Sequence, residues 1–186
     1  EKIAELVCGE ARLLSQTDQH KNPDHRLTIE SIGSGVLLGE FAEAHHGLTT
    51  GDSERMQRQF WEANRFDERW IPFCTAPEAC LEFSGRSRVL LWDSGTGAID
   101  ELLGARKDGQ GAWGKVGVLV RQMRELSSTI YSGEAFDNNT AVIVPHAPDN
   151  LLPVWVCISS PEYQLAVRRI DQKVSVTSAT LVKVPF

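Results

Sequence analysis

Apolar residues recur at two different periods along this chain, and each change of period marks a change of element. Over residues 2–15, Ile3, Leu6, Val7, Leu13 and Leu14 fall at helical spacing, and NPDH at 22–25 ends that pattern with Pro23. A second unit starts near Ile29. GVLLGEFAEAHHG supplies an apolar run at Val36, Leu37 and Leu38, then a short turn, then a strand ending at Gly47. Asp52 or Ser53 is placed to cap a helix through ERMQRQFWEAN, with Met56 and Phe60 on one face and Arg55 and Arg58 away from it. Residues 70–74, 88–92, 116–121 and 140–144 have strand character, and turn residues such as DSGTG and FDNN separate them. LLPVWVCISS and PEYQLAVRRIDQ read as helices, the second with Pro161 in its first turn, and TLVKV reads as a closing strand. The pattern is mixed α and β, with no internal repeat and no low-complexity tract.

At 186 residues the chain is long enough for one domain, or one domain with an arm. Hydrophobic residues at 41% and charged residues at 24% exclude disorder throughout. No apolar run approaches the roughly 20 residues of a membrane-spanning helix. The N-terminal EKIAELVCGEARLL carries acids where a signal peptide carries bases, so a cytoplasmic location is expected. Cys8, Cys74, Cys80 and Cys157 are scattered, with no C-x-x-C pair, and read as reduced thiols. A start without Met and an end at KVPF lead us to expect a piece of a longer protein.

The net charge of −6 is concentrated early in the chain. Between Leu103 and Arg124 the balance reverses, with Arg106, Lys107, Lys115, Arg121 and Arg124 against Asp108 alone, an excess that suits a phosphate backbone or a solvated loop.

Three stretches imitate chemical motifs. GQGAWGKV at 109–116 has the glycine and lysine spacing of a phosphate loop, but a polar GARKD precedes it, Val116 follows Lys115, and a strand comes next in place of a helix. VLLWDSGTGAIDELL resembles the S-adenosylmethionine loop of class I methyltransferases at Asp93, Gly95 and Gly97. The later KVGVLVRQM offers no carboxylate for a ribose, and a turn explains DSGTG more simply. SPEY at 160–163 is near the adenine-binding [N/D/S]-P-P-[Y/F/W] loop, with Glu162 in the place of the second proline, and reads more simply as a helix start. His45 and His46 are neighbours and would point to opposite faces of a strand, which does not suit one metal. The residues themselves give no convincing catalytic centre.

A resemblance adds what spacing does not. LGEFAEAHHGLTTGDSERMQRQFWE resembles the opening of the target recognition domains of bacterial restriction-modification proteins, and SPEYQLAVRRIDQKVSVTSATLVKVPF resembles their close. WGKVGVLVRQM and FDNNTAVIVP look like the sheet of that domain in large N6-adenine methyltransferases of the Type IIG and phage-defence kinds. The likeness covers about residues 31–186. It implies an α+β fold, with a twisted, mainly antiparallel sheet and flanking helices. Residues 1–28 would be a helical arm or linker from a catalytic domain and residues 29–186 the DNA target recognition domain. The catalytic domain, N-terminal to this chain, would carry S-adenosylmethionine, with no cofactor in the chain itself.

The resemblance implies double-stranded DNA and that methyltransferase domain as partners, and no membrane. Phosphate contacts are expected from Arg55, Arg58, Lys107, Lys115 and Arg121, and base reading from Thr49, Thr50, Asn138 and Asn139, although turns and caps use the same residue types. Gly47 and Gly51 would supply backbone freedom. Trp61, Trp92, Trp113 and Trp155 would be mostly core, with Trp113 near enough to the basic loop to touch a sugar or base. An acidic chain is unusual for a DNA binder, so weak, strongly salt-sensitive binding is expected. Two other readings stay open: a small methyltransferase using DSGTG, and a scaffold binding protein through 151–171.

Overall fold

The computed structural model describes residues 13–29, 35–62 and 64–186. Most of the helix expected at 2–15 lies outside these residues. The first helix described is α1, Gln16–Gln19, with the Ser15 side chain capping it at Asp18 N.

The fold is α+β, built on two four-stranded sheets. The first contains β1 (Ala42–His46), β5 (Gly117–Arg121), β6 (Ser128–Tyr131) and β8 (Thr140–Pro145), in the order β1-β8-β5-β6 with every pair antiparallel. The second contains β2 (Gln57–Gln59), β3 (Trp70–Cys74), β4 (Arg88–Leu91) and β7 (Ala135–Phe136), in the order β2-β4-β3-β7. There β3 and β7 run parallel and the other pairs antiparallel.

The first sheet is covered on both faces, which explains the unbroken apolar run AVIV in β8. Val118, Val120, Ala141 and Ile143 pack against α3 (Leu151–Ile158) and α4 (Pro161–Ile170) through Val154, Ile158, Tyr163 and Val167. The alternate residues Leu119, Val142 and Val144 meet Cys74, Tyr131 and Phe136 on the other face. Ser160 starts α4 by accepting from Tyr163 N at 3.1 Å, and the Tyr163 hydroxyl donates to Leu181 O at 2.8 Å, tying α4 to α5 (Ser178–Leu181). A third cluster of Leu48, Met56, Phe73, Leu90, Ile99 and Ala135 fills the second sheet, and Trp113 packs against both it and the Leu119 cluster.

Three expected elements differ. The helix through ERMQRQFWEAN stops after one turn, α2 (Ser53–Met56), capped by Asp52 accepting from Arg55 N at 3.0 Å. The next residues become β2 because Gln57, Arg58 and Gln59 pair with Leu90, Val89 and Arg88, and that pairing overrides local helical preference. Met56 is therefore buried while Phe60 is exposed, so they do not share a buried face. TLVKV is not a strand: its first residues close α5, and one antiparallel bridge between Leu37 and Pro185 follows, where Pro185 has no N–H to extend a ladder. Finally, β6 was hidden by its polar SSTIY. Those hydroxyls are buried because the 77–84 loop accepts them, Ser127 Oγ donating to Pro77 O at 2.7 Å and Thr129 Oγ1 to Glu82 O at 3.0 Å.

Candidate nucleic-acid interface

At one end of the first sheet, four segments distant in sequence come together. Leu48 bridges Asp137, and Thr49 bridges Arg106 through N–H···O bonds of 2.9 and 2.8 Å in both directions. Arg121 stands opposite Thr140, and Gln122 N donates to Asn139 O at 2.9 Å. Of the residues singled out in the sequence, Thr49, Thr50, Lys107, Arg121, Asn138 and Asn139 all belong to these segments.

Their side chains differ in what they offer. Asp137 Oδ1 accepts from both Asn139 N and Asn139 Nδ2 at 2.7 Å, so the Asn139 amide is engaged in its own turn even though the residue is exposed. Asn138 is half-buried, with its Oδ1 3.3 Å from Asn139 Nδ2. Thr49 is half-buried, and its Oγ1 is buried with no hydrogen-bond partner among the described residues, so the segment must shift for it to meet a base. Thr50 is 7% exposed and presents little surface to a ligand. Lys107 is ion-paired to Asp100 and lies 6.0 Å from the centre of the Trp92 ring. Arg121 is half-buried with no carboxylate in ion-pair reach among the described residues.

Lys115 is not part of this end. It follows Gly114 and precedes β5, whose Gly117 and Arg121 are about 13 Å apart at strand spacing, and its Nζ is 3.3 Å from Glu43 Oε1. The same carboxylate lies 3.0 Å from His45 Nε2, and that contact, with Lys115, holds the Glu43 carboxyl below its ordinary value.

Arg55 and Arg58 flank a different feature, an open cleft of about 830 Å³ beside β2. Arg58, Arg65 and Arg88 line it together with Phe66 and Trp70, whose rings are 5.3 Å apart. The Arg58 guanidinium donates to the Glu54 and Gln57 carbonyls, and Arg88 donates to Gln57 Oε1 at 2.8 Å. Among the described residues no carboxylate pairs with Arg55, Arg58, Arg65 or Arg88. Phe60 and Trp61 stand next to it in edge contact at 4.9 Å, 57% and 63% exposed, so Trp61 is surface and not core. The sequence reading missed Arg65, Phe66, Trp70 and Arg88. For Arg65, Phe66 and Trp70 the signal was there in RF and RW, arginines followed by aromatics soon after RQFW, although Arg69 itself pairs with Asp67; nothing in the sequence marked Arg88.

No protein-family model matches the chain, and no curated protein matches it.

The motif-like stretches are turns and helix starts. DSGTG follows β4, which is antiparallel to both neighbours, and forms a 3-10 turn at Asp93–Gly95. A Cβ on Gly97 would sit 2.3 Å from Asp93 Oδ2, so the carboxylate folds back on its own loop. A second 3-10 turn, Ala98–Glu101, follows in place of a helix with an N-terminus to hold a phosphate. SPEY opens α4, with Tyr163 buried. Trp113 meets Trp92 edge-on at 4.8 Å and its Nε1 is buried, which makes it a bridge between clusters, not a reaching side chain. Among the described residues no three His, Cys, Asp or Glu side chains gather to hold a metal, and no helix is long and apolar enough to cross a membrane.

Proposed function

We propose that this chain is the duplex-reading module of a DNA-modifying enzyme, setting register on double-stranded DNA for a partner domain that transfers a methyl group from S-adenosylmethionine to adenine. The observation that carries the reading is the convergence of 47–50, 106–108, 121–122 and 137–140 at one end of the first sheet. Reading a base sequence needs a rigid platform that presents several short polar segments at once, because phosphate contacts fix position while loop side chains inspect base edges. Two mostly antiparallel sheets with buried cores are such a platform. The motif resemblance over residues 31–186 supports the same conclusion independently.

In this reading Arg121 is the phosphate ligand with the clearest access, since no carboxylate among the described residues pairs with it. Thr49 and Asn138 are the base readers, while Asn139 and Thr50 hold the surface in shape. Lys107 and Lys115 contribute less, because Asp100 and Glu43 already neutralise them. The net charge of −6 makes binding by the chain alone weak and steeply salt-dependent. Such a module works in the cytoplasm, with its DNA and its catalytic domain.

The test is a gel shift at low salt with a pool of randomised duplexes, using the chain joined to its methyltransferase partner. Enrichment of a defined sequence, lost in Arg121→Ala with Asn138→Ala, supports the reading. Absence of any duplex shift in the joined protein sinks it.

A further inference from the structure

The cleft beside β2 is lined by residues other than those of the duplex-reading end and has a different character. Three arginines on its lining, Arg58, Arg65 and Arg88, and Arg55 beside it form no ion pair among the described residues; Glu54 and Glu62 also line the cleft, the Glu62 carboxylate accepting from Gln59 N at 2.8 Å. Two aromatic rings, Phe66 and Trp70, form part of its wall. A third feature is independent of charge: Gln59 Oε1, on the cleft lining, is buried with no hydrogen-bond donor among the described residues. A buried acceptor left unpaired costs free energy that a ligand's N–H recovers.

We propose that this cleft binds a single unstacked nucleotide, its phosphate held by Arg58 and Arg65, its base laid against Phe66 and Trp70, and a base N–H donated to Gln59. Guanidinium groups match phosphate oxygens in a two-point fork, and aromatic side chains stack on any base face. An acidic peptide would satisfy the arginines and leave the rings and the Gln59 acceptor unused. A base inside a duplex has no free face to offer, so the ligand is a nucleotide of single-stranded or locally opened nucleic acid, or a free nucleotide. Phe60 and Trp61 extend the platform to the next base along a strand, which favours the polymer.

The proposal is independent of the duplex-reading function and is tested separately. Anisotropy of a labelled short oligothymidine, calorimetry with adenosine monophosphate and competition by polyglutamate are measured on the wild-type chain, Arg65→Glu and Phe66→Ala. Arg65 is exposed, so Arg65→Glu leaves the fold intact if Phe66→Ala does not. The expected result is oligothymidine binding that weakens roughly tenfold or more in each variant, recovers in Arg65→Lys and is unchanged in Arg121→Ala. Binding of the mononucleotide alone, with the same dependence on Arg65, supports the site and assigns it to free nucleotides. Binding of neither, binding indifferent to Arg65 and Phe66, or stronger binding of polyglutamate overturns it. Arg65→Glu that keeps the duplex shift while losing oligothymidine separates this site from the reading surface.

Discussion

Gln122 holds His46 in one orientation across the end of the first sheet. The Gln122 side chain is 2% exposed, and its Nε2 donates to Val176 O at 2.8 Å, which leaves Oε1 to face His46 Nδ1 at 3.0 Å. The acceptor requires a proton on Nδ1, so the neutral ring keeps a lone pair on Nε2, next to the segments carrying Arg121 and Asn139. Removing the amide in Gln122→Ala strands the Val176 carbonyl and frees the ring. The expected cost is about 1–3 kcal/mol by urea unfolding, with loss of the Nδ1–H tautomer preference in His46 nitrogen shifts. An unchanged tautomer ratio would show that Gln122 does not set it.

For Arg121→Ala, duplex affinity should fall across all sequences, and the slope of log K against log salt should shrink by about one. Lys115→Ala should change the slope less, because Glu43 already compensates that charge. Equal effects of the two substitutions would mean that the ion pair opens on binding and that Arg121 has no special place.

Much of the fold was legible because burial writes itself into sequence. Strands β1, β3, β4, β5 and β8 and helices α3 and α4 were placed by apolar periodicity, and Ser160 with Pro161 marked the start of α4. TLVKV failed locally, at Pro185, but the misses at β2 and β6 share one physical cause, that long-range partners override local preference. Gln57–Gln59 looks helical until Arg88–Leu91 is beside it, and residues 127–131 look like loop until carbonyls of the 77–84 loop accept from the Ser127 and Thr129 hydroxyls. The same limit applies to the candidate site. Residue types gave Arg121, Asn138 and Thr49, but not the convergence of their segments, nor the pairing of Lys107 and Lys115 with acids from elsewhere in the chain.

The half-buried pair of Arg86 and Glu134, 2.9 Å apart, makes stability depend on acid. Burial pushes the Glu134 carboxyl up, but a backbone hydrogen bond, the Arg86 guanidinium and the Ser132 hydroxyl outweigh it and hold the carboxyl below its ordinary value. A carboxyl depressed on folding contributes stability that is present above its unfolded value of about 4.3 and is lost as pH falls through the lower folded value. Glu134→Gln should therefore flatten the acid limb of a plot of melting temperature against pH. A limb of unchanged steepness would assign the acid sensitivity to other carboxyls.

Thiol reactivity should follow burial. Cys74 is buried and its thiol is pushed up to about 12, chiefly by burial and then by the nearby Glu134 carboxylate, so little thiolate exists at neutral pH. Cys157 is half-buried and also raised by burial, while Cys80 is exposed. Iodoacetamide on the native chain should modify Cys80 before Cys157, and Cys74 only once denaturant opens the core, as peptide mass spectrometry will show. Early labelling of Cys74 would mean that the Leu119 cluster opens under native conditions.

Gly47 and Gly51 bracket the Thr49–Thr50 segment, but for different reasons, and alanine at each should separate them. Gly51 sits at φ +76, where a side chain strains the backbone by about 1–2 kcal/mol with its nearest would-be contacts at 3.1 Å or more. Gly47 is in ordinary backbone territory, yet a Cβ there would fall 2.0 Å from Asp137 O and 2.9 Å from Phe136 O. Both are main-chain atoms and cannot swing aside, so Gly47→Ala must push 47–50 away from 136–140 and loosen the bridges at Leu48 and Thr49. The larger fall in melting temperature is expected for Gly47→Ala, together with loss of duplex binding, whereas Gly51→Ala should keep most of its binding once cooled below its own transition. If Gly51→Ala proves the more damaging of the two, the close approach of these segments is not what organises the reading surface.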